Sequence, residues 1–208
     1  YQWLTGARVI NAHTLSDFRV KHDTALGGLF AQTLGLLSAD GLITLERVMQ
    51  DGTKIRAKAA ADSFRRQERV EQALREAQAQ VAAVEAMSEE ESSRRAAKAG
   101  QRAARERQER LAQALKEFAQ LEKDKDNEQR RVSTTDPEAR VMKQPGGGYA
   151  PSYNVQIDTD AKNCVVVAVG VVQAGNDFEQ LAPGIDRVQD HLKETPKEVV
   201  TDGGYVSK

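Results

Sequence analysis

From Ala57 to Arg131 the chain contains no proline and one glycine, Gly100, in a run dominated by Ala, Arg, Gln and Glu. Apart from the glycine these are strong helix formers, so this stretch commits about a third of the chain to long helices. The apolar residues Val70, Leu74, Ala77, Val81 and Val84 step by 4, 3, 4 and 3, which makes a heptad seam. Leu111, Ala114, Phe118 and Leu121 repeat the pattern with steps of 3, 4 and 3. Between the seams, Met87-Ser88-Glu89-Glu90-Glu91 offers a serine N-cap with a glutamate at the N3 position. Two helices with matching seams and a break near Met87–Glu91 predict an antiparallel helical hairpin.

The flanking segments read differently. Thr14 and Asp17 resemble a capping box ahead of a short helix through Phe18, and Asp23 is placed as the N-cap of a second helix to about Ser38. In that helix Leu26, Leu29, Phe30, Thr33, Leu34 and Leu37 form one continuous face, and Gly41 is a plausible terminator. Leu45–Asp51 reads as a strand. Beyond the helical run, Pro145-Gly146-Gly147-Gly148 signals a turn and Tyr153–Ile157 a short strand. Cys164–Val172 is a Val-rich run typical of a strand buried on both faces. Phe178, Leu181, Ile185, Val188 and Leu192 give Asp177–Leu192 helical spacing, and Glu198–Asp202 is a last short strand. The expected organisation is a helical N-terminal segment over 1–44, a first core strand over 45–60, the hairpin insertion over 61–131 and the rest of the core over 132–208.

Net charge is −1, so the chain as a whole is not a basic nucleic-acid binder. Locally the balance changes: Arg94 to Arg110 holds seven basic residues against Glu106 and Glu109. Arg95, Lys98, Arg102 and Arg105 step by 3, 4 and 3 and share one helix face, which suits phosphate contact or simply a solvated surface. The single Cys164 excludes an internal disulfide and a multi-cysteine metal site. No leader or long apolar run is visible, so a cytoplasmic protein with no membrane partner is the default expectation. Both ends, Tyr1 and Lys208, read as cut rather than natural.

Two aspartates stand at strand ends, Asp51 and Asp202. Two-metal phosphoryl transfer needs carboxylates that converge from neighbouring strands, and Mg²⁺ takes one or two of them together with water and substrate phosphate. Both residues precede glycine, and Asp-Gly is a common turn dipeptide, so a turn role competes for each. Asp158, Asp160 and Asp177 read as turn residues and a helix N-cap. His13, His22 and His191 are isolated, with no pair at ligand spacing. Lys54 and Arg56 sit just past the first aspartate and suit either DNA phosphate or a solvated strand end.

Gln50-Asp51-Gly52-Thr53-Lys54-Ile55-Arg56-Ala57 resembles the first-aspartate motif of bacterial insertion-sequence DDE transposases. Val199-Val200-Thr201-Asp202-Gly203-Gly204-Tyr205 resembles their second-aspartate motif. Ser133-Thr134-Thr135-Asp136-Pro137-Glu138-Ala139-Arg140, Tyr153-Asn154-Val155-Gln156 and His13-Thr14-Leu15-Ser16-Asp17-Phe18-Arg19 are similar to three further landmarks, in order. The resemblance implies an α/β, RNase H-like mixed sheet, with a long helical hairpin inserted after the first strand and a helical segment in front. It implies Asp51 and Asp202 as catalytic ligands of Mg²⁺ (or Mn²⁺). Double-stranded DNA, as transposon ends and target, is the implied partner, with Arg95, Lys98, Arg102, Arg105 and Lys54 as candidate contacts. In that family the metal-bound acids serve to nick DNA at the element's end, and the freed 3′-hydroxyl attacks target DNA. The family's third acid, a glutamate on a later helix, has no counterpart before Lys208, so little or no cleavage is expected of this chain alone. The competing readings are a non-enzymatic coiled-coil interaction protein and a nuclease on the same fold; for the Val70–Val84 seam, intramolecular packing competes with a homodimer zipper.

Overall fold

The computed structural model describes Trp3, Gly6 and residues 9–86, 95–121 and 130–205. Its described elements are mixed α and β: helices α1 (Ala12–Lys21), α2 (Asp23–Ala39), α3 (Gln67–Glu85), α4 (Arg95–Leu121) and α5 (Leu181–Leu192). The strands are β1 (Val48–Arg56), β2 (Phe64–Arg65), β3 (Val132–Ser133), β4 (Arg140–Lys143), β5 (Tyr149–Asp160), β6 (Val165–Val172) and β7 (Val199–Val200). The main sheet has five strands in the order β4-β5-β1-β7, with β6 also pairing β5. It is mixed. β7 runs parallel to β1, while β4 is antiparallel to β5. Backbone bonds from Ala57 to Pro151 and from Ala161 to Arg47 descend on one strand as they rise on the other, so β1 and β5 are antiparallel. The short connection Ala161–Cys164 permits only an antiparallel β5–β6 pair.

The chain divides into two compact units. The first comprises Tyr1–Asp51, Gln156–Gly170 and Asp177–Lys208. Its core gathers Leu34, Ile43, Leu45, Val48, Val167, Ala168 and Val188, with Phe30, Leu37, Val165 and Leu192 packed around them. α2 ends in a Schellman motif: Gly41 adopts φ 71°, its N–H bonds Ser38 O, and the Leu42 N–H bonds Leu37 O. The predicted α2 face is only half used. Phe30, Leu34 and Leu37 reach the core, whereas Leu26 and Leu29 are exposed among the described residues. Thr14 lies inside α1, which already runs from Ala12, so it does not cap that helix. Asp23 is the first helical residue of α2 rather than its cap.

The second unit comprises Gly52–Val155 and Val171–Asn176. Here α3 and α4 pack as an antiparallel pair: Arg105 reaches Glu85 and Arg107 reaches Gln80, so numbers fall along one helix as they rise along the other. The two seams close on each other, burying Val70, Ala77, Leu111, Ala114 and Phe118 with Val132 in one cluster. The reversal expected near Met87–Glu91 lies outside the described residues. At the base of the hairpin, β2 and β3 pair antiparallel, Phe64 with Ser133 and Arg65 with Val132. The Pro145–Gly148 turn links β4 to β5, with Gly147 and Gly148 at φ 91° and 75°.

Several strand limits differ from the sequence reading. Leu45 takes φ 52° and turns the chain, so β1 begins only at Val48 and continues through Asp51-Gly52 to Arg56. β5 is twelve residues rather than five. α5 starts at Leu181, not Asp177, and β7 is confined to Val199–Val200. β6 is not buried on both faces: Val167 and Ala168 are buried, but Val166, Val169 and Val171 are exposed among the described residues. The Val-rich composition reflects strand propensity there, not a second covering layer.

Candidate functional site

The two candidate ligands belong to the first unit. Val48 pairs with Val199 and Met49 with Val200, so Asp51 and Asp202 each follow the last of these pairs by two residues, Asp51 within β1 and Asp202 just past β7. Strand alternation turns Val48 and Gln50 inward, both buried, while Met49 and Asp51 face outward and are exposed. Asp51 is not a turn residue, because β1 passes straight through Asp51-Gly52. Asp202 does sit in a turn: its Oδ1 accepts the Gly204 N–H at 2.8 Å, and the carboxylate stays exposed. The turn fixes this carboxylate's direction and leaves Oδ2 without a bond in that turn.

Beside them lies a buried polar network that no element pattern announced. The Tyr205 hydroxyl donates to Gln156 Oε1 at 2.6 Å, and Gln156 Nε2 donates to Asp177 Oδ1 at 2.6 Å. Gln50 Nε2 donates to Gln180 O at 2.7 Å and reaches Gln156 Oε1 at 3.4 Å. Tyr205 is buried, and its phenol is pushed well above the usual tyrosine range, first by burial and then by the negative charges of Asp177, Asp51, Asp158 and Asp202. Four carboxylates, both candidate ligands included, therefore bear on one buried hydroxyl. Gly184 makes room for the network, since a Cβ there would lie 2.5 Å from the Gln50 amide. Gln50, Gln156 and Tyr205 all fall inside the quoted landmarks, but nothing in their spacing distinguishes them from strand and turn residues.

The other acids have structural partners. Asp158 is a buried strand residue, not a turn; it pairs with Arg187 at 3.4 Å. Burial raises its pKa, against the opposing charges of Arg187 and His191. Asp160 ends β5, where burial acts against ionisation but is outweighed by backbone N–H donors, so its carboxyl titrates below 3.8. The Thr44 and Leu45 N–H groups bond its Oδ2 at 2.9 Å each, and that of Lys162 bonds Oδ1 at 3.0 Å. Asp177 is not the α5 N-cap; that place belongs to Gln180, whose N–H bonds the Asp177 carbonyl. His22 stacks against Phe18 at 4.6 Å, and His191 Nδ1 lies 3.1 Å from Val167 O. His13 carries no described side chain.

In the second unit the Ser133–Arg140 landmark is a tied-down loop. Ser133 Oγ accepts the Thr135 and Asp136 N–H groups at 3.2 and 3.0 Å, and the Tyr153 hydroxyl donates to Asp136. Arg140 Nη2 donates to Glu117 Oε2 at 2.5 Å and to Gln173 Oε1 at 2.7 Å. Of the predicted basic stripe, Arg102 pairs with Glu106 at 2.7 Å and Arg105 with Glu85 at 2.9 Å, while Lys98 is exposed. The Arg95 side chain lies outside the described residues. Lys54, on β1, is half-buried.

Among the described residues no group of three or more His, Cys, Asp or Glu is placed to hold a metal ion. Asp51 and Asp202 are a pair. A pair of hard oxygen donors beside open solvent fits Mg²⁺, which keeps most of its water and asks for few protein ligands. No described helix is long and apolar enough to cross a membrane. No family model matches the chain, and no curated protein or solved structure matches it.

Proposed function

We propose that the chain belongs to the catalytic core of a DDE-type DNA transposase, with Asp51 and Asp202 as two of its metal-holding carboxylates. The parallel β1–β7 register carries this reading, because Asp51 and Asp202, about 150 residues apart in sequence, each follow the Met49–Val200 pair by two residues and both are exposed. The sheet supports it as well: an antiparallel β1-β5-β6 set, then α5, then β7 returning parallel beside β1, is the arrangement expected of an RNase H-like core. Bound Mg²⁺ would supply charge neutralisation at the reacting phosphate and a more acidic attacking water or hydroxyl. The residues themselves orient and hold. β1 fixes Asp51 within a paired strand, and the Gly204 N–H fixes Asp202. Gln50, Gln156 and Tyr205 brace the two strands from the buried side. Lys54 and Lys98 are proposed as minor phosphate contacts. The described seam residues pack within the hairpin, which speaks against a dimer zipper through Val70–Val84.

Iron-directed backbone cleavage tests the assignment. Fe²⁺ substituted for Mg²⁺, with ascorbate and peroxide, produces radicals that cut polypeptide beside a bound metal. The expected fragments end near residues 51 and 202, fade with excess Mg²⁺ and disappear in Asp51→Asn. Cleavage confined elsewhere, such as beside Asp186 and Asp190, would count against the pair.

A further inference from the structure

A second site is formed wholly within the other unit. Between α3, α4 and the loop after β3 lies a concavity of about 410 Å³, lined by Arg65, Arg69, Arg107, Arg110, Thr134 and Thr135. Four guanidinium groups face one lining carboxylate, that of Glu76. Glu76 is engaged by Gln72 at 3.1 Å, and among the described residues no carboxylate pairs with any of the four arginines. That contrasts with Arg102 and Arg105, each of which already has a glutamate. Beside the concavity Ser63 Oγ donates to Ala60 O and lies 2.8 Å from Ser133 Oγ, which accepts the Thr135 and Asp136 N–H groups and lies 3.1 Å from Thr135 Oγ1.

We propose that this concavity is a phosphate-backbone contact site for duplex DNA. The ligand is anionic, because four arginines outnumber the one lining carboxylate and their net positive charge attracts an anion. All four arginines are exposed, so they cannot desolvate and enclose a small anion. Exposed cations instead gain from a polyanion, whose condensed counterions are released on contact. Planar guanidinium forks match phosphate oxygens and read no sequence. The inference names the DNA-contacting surface of the proposed function and rests on that reading for its choice of polyanion.

Binding of a fluorescent duplex of arbitrary sequence, measured by anisotropy across a salt series, tests it. Arg69→Ala/Arg110→Ala is expected to weaken binding about tenfold or more at low salt and to flatten the log–log salt slope by roughly one to two, since each phosphate contact contributes about 0.9. Arg75→Ala/Lys116→Ala, on the same two helices but outside the concavity, removes equal charge and is expected to stay within about twofold of the parent. All four positions are exposed, which keeps the fold out of the comparison. A pocket variant that binds like the parent, or a control that loses as much, would overturn the proposal. So would displacement of the duplex by submillimolar inorganic phosphate, or clear preference for duplex RNA. The series is run in EDTA, so that divalent metal at Asp51 and Asp202 contributes nothing to it. A failed pocket variant with metal binding still dependent on Asp51 sinks this site alone, and the converse sinks the metal reading alone.

Discussion

Asp160 shows how much one buried carboxylate can organise. It accepts backbone N–H bonds from Thr44, Leu45 and Lys162, and it positions the chain just before β1. Its pKa is lowered, so its stabilisation is fully present above 3.8 and is lost as pH falls through the lower folded value. Asp160→Ala should cost about 2–4 kcal/mol at neutral pH, given about 1.5–3 kcal/mol for hydrogen bonds to a charged group. Thermal melts from pH 7 to 2.5 should show the gap to the parent narrowing below pH 3.8. Gly184 is the second sensitive position. Gly184→Ala drives a methyl into the Gln50 amide and should destabilise by about 1–3 kcal/mol, as overpacking does. Adding Gln50→Ala to that variant should recover part of the loss by clearing the clash, and strict additivity in urea melts would show that the two residues do not meet.

At the scale of elements, the hairpin is held at its base by more than its seam. Glu117 is buried on α4 and bonds both Arg140 and Gln173. Glu117→Ala strands a largely buried guanidinium and should cost about 3–5 kcal/mol, whereas Glu117→Leu/Arg140→Met should cost much less; equal losses in denaturant melts would contradict this. The hairpin was legible in the sequence because its signal is a period repeated over many residues. β5 was not, for an equally physical reason. Its buried face is polar: Ser152, Asn154, Gln156, Asp158 and Asp160 point inward while Tyr153, Val155 and Ile157 are only half-buried. These inward side chains bond partners away from the strand, such as Asn176 O for Asn154 Nδ2 or Arg187 for Asp158. A pattern that assigns apolar residues to the inside reads such a strand short and its acids as turns. β2 and β3, two residues each, carry no periodicity at all, and the arginine concavity assembles from three separated segments. The two aspartates were legible because each ends a strand-like run, Leu45–Gln50 or Glu198–Thr201, although only Asp202 occupies a turn.

For the whole molecule, a net charge of −1 conceals a division of labour. One unit carries the outward carboxylates Asp51 and Asp202, with Asp158 and Asp177 near the same buried phenol; the other carries the arginine-lined concavity. A metal-dependent DNA enzyme needs both signs, one for cations and one for backbone phosphate. The central claim is that Asp51 and Asp202 hold one divalent cation between them. Mn²⁺ titration followed by electron paramagnetic resonance, in which the six-line signal of free Mn²⁺ fades on binding, tests it most directly. The parent chain should bind Mn²⁺ in competition with Mg²⁺, and Asp51→Asn and Asp202→Asn should each weaken binding by at least about tenfold, a loss that even second-layer changes produce at metal sites. Binding that is absent in the parent, or equally strong in both variants, would contradict the account.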